Sequence, residues 1–460
     1  MNSGPQENSR GVFPIVLGIA VAILVLIAWI KPYFGLMDDA RNLFSIVPKI
    51  NAGGFSGFVQ EFMRADFNWG MFRPLYPAMV YILYSFGVSL GPVPFFMLNA
   101  VLVFFVLYLS ALSFEKWLGI GRWSLLMAMM AFPYTYDLFQ HPSLQEKLIT
   151  LFGSLALLAI PKDSKMKIKD FVVILIMTGL GFASKTSFLI YAPVIFLALL
   201  SRTNWQSLRS KIILAGTSVW MAAWVFFLGK VAAHGQYTRE GYSLTHILPN
   251  LQRGGILAVV GSLIFFIILR IPRFSFRTFR NECQNWMPIS GLAAFLTLFM
   301  PWTIAGYLLS LVSPFLAATV LQISGGLPKR IQPFVTGALA FFAVFLLYSR
   351  PYLMFHRLHD IGNLIGSSPS LQAQGIKNIV VPCMEGRDSI QSYLKNHAEF
   401  NLQMQSDGLN WRDTVVFADQ KMCPYIPTAT SLSHEGCREV IHMPSGAAGG
   451  FQVIGYQCGS

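Results

Sequence analysis

Apolar residues in this chain come in long blocks, not in the alternation of a strand or the one-sided stripe of a soluble helix. The first block, Val12 to Ile30, runs nineteen residues without a charge. That is enough to cross a bilayer core as a helix. No small-x-small cleavage site follows it, and the chain continues Lys31-Pro32-Tyr33-Phe34. Further apolar runs lie near 94–113, 123–139, 146–160, 171–200, 212–230, 254–269, 287–322 and 333–349. The runs 171–200 and 287–322 are too long for one helix each. The first is interrupted by Gly179, Gly181 and Ser184-Lys185-Thr186-Ser187, the second around Pro301. Each reads as a helical hairpin.

The connections sort by charge. Basic residues fill 114–122, 161–170, 201–211, 270–286 and 323–332; with Arg10 these hold 16 of the 27 Lys and Arg in residues 1–350. Basic loops stay in the cytoplasm. Every second connection then lies outside: 31–93, 140–146, 184–187, 231–253, 301–304 and the chain beyond 350. This predicts eleven spans, with the N-terminus (1–11) inside, a membrane domain over 12–349 and an extracytoplasmic soluble domain over 350–460. Leu75 to Leu90 is also apolar. Counting it as a span would put every later basic loop outside, so it reads as a helix lying at the interface within the first external loop, 31–93.

Composition agrees. Mean hydropathy is +0.54 and charged residues make up 12% of 460, which excludes an ordinary soluble domain and a disordered chain. The net charge of +13 does not form one patch. Residues 351–460 carry 7 basic and 9 acidic residues, so the excess lies in the short loops of the apolar part. No nucleic-acid partner is expected. Four of five cysteines, Cys383, Cys423, Cys437 and Cys458, fall in the last part. They point either to two disulfides in an oxidising compartment, with three pairings open, or to four thiols in a cytosolic domain. That part alternates short strand-like runs (378–382, 414–417, 440–443, 451–456) with a helical stretch near 387–401, which predicts a small α/β or α+β unit.

Candidate chemistry gathers on the outer side of this topology. Asp38-Asp39 follows the first span by a few residues. Paired carboxylates suit general-base work or cation binding; they also cap helices. Arg73, in Trp69-Gly70-Met71-Phe72-Arg73-Pro74-Leu75, either grips a phosphate in its fork or snorkels at the interface. Glu146 opens a span after the turn at Pro142, as a ligand or as a helix N-terminal carboxylate. Lys185 is the sole charge in its thirty-residue run. Sunk in the bundle, it needs an anionic ligand or an internal ion pair with Glu146 or an Asp. No Walker motif, GxGxxG or GxSxG occurs, which argues against an ATP pump, a dinucleotide enzyme and that hydrolase type.

These elements resemble, in order and spacing, the GT-C glycosyltransferases, polytopic enzymes that include the protein O-mannosyltransferases and the aminoarabinose transferase of lipid A. The resemblance rests on Asp38-Asp39 after the first span, Arg73-Pro74-Leu75 late in the first loop, Pro142 to Glu146, the Gly-rich stretch with Lys185, and Tyr307-Leu308-Leu309 to Pro314. It covers residues 10–350. Where many members place a His or Arg before the Tyr-Leu-Leu element, this chain has Ile304-Ala305-Gly306.

The resemblance implies a multi-pass enzyme of the cytoplasmic (inner) membrane. It would move a sugar from a polyprenyl-phosphate donor to a hydroxyl of a surface glycan, lipid or other acceptor on the outer face. Asp38 would take the acceptor proton, and Asp39 would orient the acceptor or hold a divalent cation, a cofactor that some relatives do without. Lys185 and Arg73 would neutralise the leaving phosphate, and Glu146 would contact the acceptor or a metal. Two other classes compete: an O-antigen polymerase or ligase, which relies on arginines in large external loops, and a polytopic transporter or flippase, which would bring inverted repeats that the chain lacks.

Overall fold

A computed structural model of the chain describes residues 6–33, 47–142, 144–162, 166–203, 207–235, 243–252, 254–270, 276–301, 306–356, 358–359 and 373, together with five strands beyond residue 377. Asp38 and Asp39 lie outside the described residues, as do Cys383, Cys423 and the stretch 387–400, where a helix was expected.

Helix α1 (Gln6–Ile30) shows how the bundle is solvated. Val12, Val16, Ile19, Ile23, Ile27 and Ile30 form a buried stripe at helical spacing, while Phe13, Leu17, Val21, Val25 and Trp29 on the other face are exposed. Both faces are apolar, so helical period appears in burial and not in sequence. A helix of this kind has hydrocarbon, not water, on its outer side.

The next elements build one end of the molecule. Helix α2 (Val47–Trp69) is kinked at Gly54, whose φ of 69° favours glycine. Helix α3 (Leu75–Leu90) ends at Gly91, with φ 83° and ψ 173°, and Pro92 then starts α4 (Pro92–Leu118). Arg73, just before α3, reaches the residue that precedes α7 (Glu146–Ala159). At the other end of α3, the first turns of α4 place Phe96 against Phe355, with ring centroids 5.9 Å apart. Asn99 of α4 donates to the carbonyls of Leu138 and Phe139 at 3.0 and 2.9 Å, a few residues before α7. Both ends of α3 thus meet the same end of the bundle, and this helix of about 24 Å lies across it.

After α4 come α5 (Arg122–Met130), a 3-10 turn (Pro133–Tyr136) and α6 (Asp137–Gln140), then α7. Helix α8 (Ile168–Ser184), a 3-10 turn (Thr186–Ile190) and α9 (Ala192–Arg202) form the hairpin expected over 171–200. Helices α10 (Leu208–His234), α11 (Ile247–Leu251), α12 (Gly254–Arg270), α13 (Phe276–Phe299), α14 (Ser313–Gly325) and α15 (Gln332–Leu347) follow. Among the described residues, five helices are long and apolar enough to cross a membrane alone. The eleven expected spans do not each give one such helix, because several are split between broken elements. The run 123–139 is split at Pro133 into α5 and α6, and Thr186–Arg202 and Gly254–Leu269 are shorter apolar helices.

Basic residues at the far end cap helices. Lys116 donates to the carbonyls of Leu158 and Ile160, both at 2.6 Å, at the C-terminus of α7 where cations complement the dipole. The core between these ends is aromatic. Phe95, Phe96, Phe114, Trp117, Tyr136, Phe182, Phe188 and Tyr191 are all fully buried. A side chain at Gly181 would run into the ring of Phe188, so that glycine gives up helix propensity for close packing.

Beyond the bundle, β1 (Asn378–Val380), β2 (Asn401–Gln403), β3 (Thr414–Asp419), β4 (Cys437–Met443) and β5 (Val453–Cys458) form a mixed sheet of order β2-β1-β3-β5-β4. Strands β1, β3, β4 and β5 overlap expected ones. The expectation omitted β2, whose three residues at the end of the predicted helix are too few to show alternation.

Candidate functional site

Three of the five residues singled out from sequence come together. Glu146 is the first residue of α7 and fully buried. Lys185 ends α8 in extended backbone, so its side chain leaves the helix and turns inward. Its ammonium lies 2.6 Å from Glu146 Oε1. Of the two readings open for Lys185, the internal ion pair is the one this structure holds. The other carboxylate oxygen, Glu146 Oε2, is buried with no hydrogen-bond partner among the described residues. A buried lone pair in that state is costly and marks a place where a donor or cation is wanted.

Arg73 joins through Gln145. With the amide turned to satisfy both ends, Gln145 donates to the Ser184 carbonyl at 3.1 Å and accepts from Arg73 Nη1 at 2.8 Å. Arg73 does not snorkel. Its Nε and Nη2 hold Asp66 of α2 in a two-point pair at 3.0 and 2.5 Å, and its guanidinium lies 4.8 Å from the ring centre of Tyr76. Burial raises the Asp66 carboxyl above its ordinary pKa, and the hydrogen bonds and charge of Arg73 pull it back only in part. The turn that brings these two together is tight. Gly70, at φ 81°, lies directly against the backbone of Gly235 beyond α10, leaving no space for a side chain on either residue.

The sequence reading passed over the residue after Glu146. Lys147 is almost fully buried, 1% exposed. Its ammonium donates to Asn99 Oδ1 at 2.6 Å and to the carbonyls of Pro142 and His141 at 2.5 and 3.4 Å. Asn99 in turn holds the last carbonyls of α6. One lysine and one asparagine therefore tie the proline turn, α4 and α6 into one unit and fix the rotation at which α7 presents Glu146. Asp66, Gln145 and Asn99 gave no signal either. A polar residue in an apolar run was the available cue for Asn99, and the others stand among ordinary polar neighbours.

Beside the charged cluster lies an apolar groove of about 500 Å³ between α8 and α10. Val172, Ile176, Gly179 and Ala183 line one side, Trp220 and Trp224 the other. Two of its lining residues stand near the cations in the chain or through one ring contact. Ala183 is two residues from Lys185, and Trp224 packs on Phe72, the neighbour of Arg73, with ring centroids 6.1 Å apart. Among the described residues, no group of three or more His, Cys, Asp or Glu side chains is arranged to hold a metal ion.

No protein-family model matches the chain, and no curated protein matches it by sequence. Solved structures do. The fold is similar to ArnT from Cupriavidus metallidurans bound to undecaprenyl phosphate, with TM-score 0.51 and 12% identity over 98% of this chain and 99% of that one. The apo state of the same protein gives TM-score 0.53 and 11% identity over 98% of each chain. The chain thus has an ArnT-like polytopic membrane fold.

Proposed function

We propose that the chain is an integral-membrane glycosyltransferase that moves a sugar from a polyprenyl-phosphate donor to a hydroxyl of a surface glycan or lipid, at the outer face of the cytoplasmic membrane. The observation that carries this reading is the buried cluster of Lys185, Glu146, Gln145 and Arg73, with an apolar groove whose lining includes Ala183, two residues from Lys185. An ammonium near an apolar groove fits one amphiphile, a phosphate on a long apolar chain. The similarly folded ArnT binds a molecule of that class.

In this reading the acceptor hydroxyl attacks the anomeric carbon of the lipid-linked sugar, on the face opposite the phosphate. The C–O bond to the phosphate breaks as the new glycosidic bond forms, so configuration inverts through an oxocarbenium-like transition state. Asp38 takes the hydroxyl proton, and Asp39 orients the acceptor or holds a cation. The leaving phosphate takes Lys185 from Glu146, exchanging one charge-assisted bond for another. Arg73, held by Asp66 and Gln145, supplies a fixed positive field. Glu146 Oε2 accepts from the acceptor or holds a metal.

Mass spectrometry of surface glycans and lipid-linked sugars, in cells with and without the gene and with an Asp38→Asn rescue, tests the proposal. Loss of one sugar with its lipid-linked donor retained, and no rescue by the variant, is expected. Unchanged glycans would sink it.

A further inference from the structure

Gln145 is one tie between the turn that carries Lys185 and the turn that carries Arg73; a second tie is apolar. Trp224 of α10 stacks on Phe182 of α8, with ring centroids 5.7 Å apart and planes 13° from parallel. The same indole packs on Phe72, the residue before Arg73, at 6.1 Å. Behind Trp224, each arm ends at a cation. Phe182 meets Phe188 across the Lys185 turn, with centroids 5.0 Å apart, and both rings are fully buried. Phe188 lies over Gly181, where a side chain would strike its ring, and its N–H donates to the Lys185 carbonyl at 3.0 Å. These rings close the turn from which Lys185 reaches Glu146. On the other arm, Phe72 stands edge-on to Phe227, 5.0 Å away and one turn of α10 beyond Trp224. The Arg73 turn is thus seated on α10 twice, by these rings and by Gly70 against Gly235.

Trp224 also lines the apolar groove, next to Trp220, whose ring is 5.9 Å away at 86°. Its indole N–H is buried and has no hydrogen-bond partner among the described residues, so packing alone sets the ring. Whatever fills the groove therefore touches the ring that backs both cationic turns. Packed interiors pass a displacement from one ring to the next, because there is no free volume to absorb it. A ring that served only as groove wall would need contact with neither turn.

We propose that Trp224 is a positioning residue for the lipid phosphate, holding the Lys185 and Arg73 turns in register through Phe182 and Phe72. This rests on the transferase reading above. The test uses the full chain in nanodiscs. Affinities for undecaprenyl phosphate and for undecaprenol, the same chain without the phosphate, are measured by native mass spectrometry. Their ratio isolates what the phosphate contributes. Trp224→Leu keeps the groove apolar and should lower that ratio by roughly tenfold, while undecaprenol binding changes far less. Trp224→Phe keeps a ring and loses an N–H that bonds nothing, so it should retain the ratio. Phe182→Leu breaks the stack without altering the groove lining and should act as Trp224→Leu does; it carries the test if Trp224→Leu fails to fold. Equal losses for the two ligands would make Trp224 a groove wall and nothing more, and would overturn the proposal. A phosphate preference kept by both leucine variants would sink this proposal alone. An unaltered chain with no preference for the phosphate would sink the transferase reading with it.

Discussion

Glu146 and Lys185 meet at 2.6 Å across 39 residues of sequence, one opening α7 and the other ending α8. Neither charge is tolerable alone at its depth, since Glu146 is 0% exposed. Removing one partner of such a pair costs about 3–5 kcal/mol, because the other is left uncompensated. Lys185→Met is therefore expected to lower the thermal midpoint sharply, and Glu146→Gln with Lys185→Met to recover most of it. Neither variant should transfer sugar. A double variant as unstable as the single would mean that the pair does not interact as described.

Lys147 is expected to matter as much for stability as its neighbour does for chemistry. Lys147→Met leaves Asn99 Oδ1 and the Pro142 carbonyl without the donor that holds each. An orphaned buried acceptor costs about 1–3 kcal/mol. In a double-mutant cycle with Asn99→Leu, the two losses should fall short of additive by at least about 0.5 kcal/mol, read from thermal unfolding in detergent. Full additivity would show that the two side chains act independently.

His141, in the turn between α6 and α7, gives a pH dependence. Burial, with the Lys147 charge as a second cause, lowers its pKa from 6.5 to about 4. The unfolded chain therefore takes up a proton below about pH 6.5 that the folded chain refuses until about pH 4. Stability should fall across that window by on the order of 3 kcal/mol and level off below it. His141→Asn should remove this part of the slope when melting is followed from pH 7.5 to 4.5. Parallel curves for the two proteins would refute the assignment.

The strand register narrows the cysteine question. Cys437 of β4 stands directly opposite Cys458 of β5 in an antiparallel pair. Opposed positions have Cα atoms about 4.5–5.5 Å apart, within the span of a disulfide. Of the three pairings open from sequence, the expected one is Cys437–Cys458 with Cys383–Cys423. Peptide mapping of the unreduced chain checks this, and a linked peptide joining Cys437 to Cys383 or Cys423 would contradict it.

Much of the bundle was legible because hydrocarbon solvent forces long apolar blocks, and because Pro and Gly mark their breaks. The stretch Ser184 to Ser187 marked the turn between α8 and α9, whereas the break at Pro133 inside the run 123–139 went unread. Lys185 and Glu146 were visible as charges out of place. Their mutual pairing was only one of two options, since sequence carries no distance between residues 39 apart. Arg73 illustrates the limit. Its type suggested a phosphate grip, but its fork is filled by Asp66, one acid among several in the first loop with nothing to set it apart. Asn99 and Lys147 were hidden for a related reason: a buried lysine satisfied by carbonyls needs no acidic partner in the pattern.

Helix α3 lies across one end of the bundle, and the apolar groove runs between α8 and α10. If the proposed polyprenyl-phosphate donor enters along that groove, it never passes through bulk water. Its effective concentration is then its mole fraction in the membrane, and its search is two-dimensional. Diluting it with inert lipid or detergent should slow the reaction even when the amount per millilitre is held constant, so activities measured in different micelles are comparable only at equal surface density.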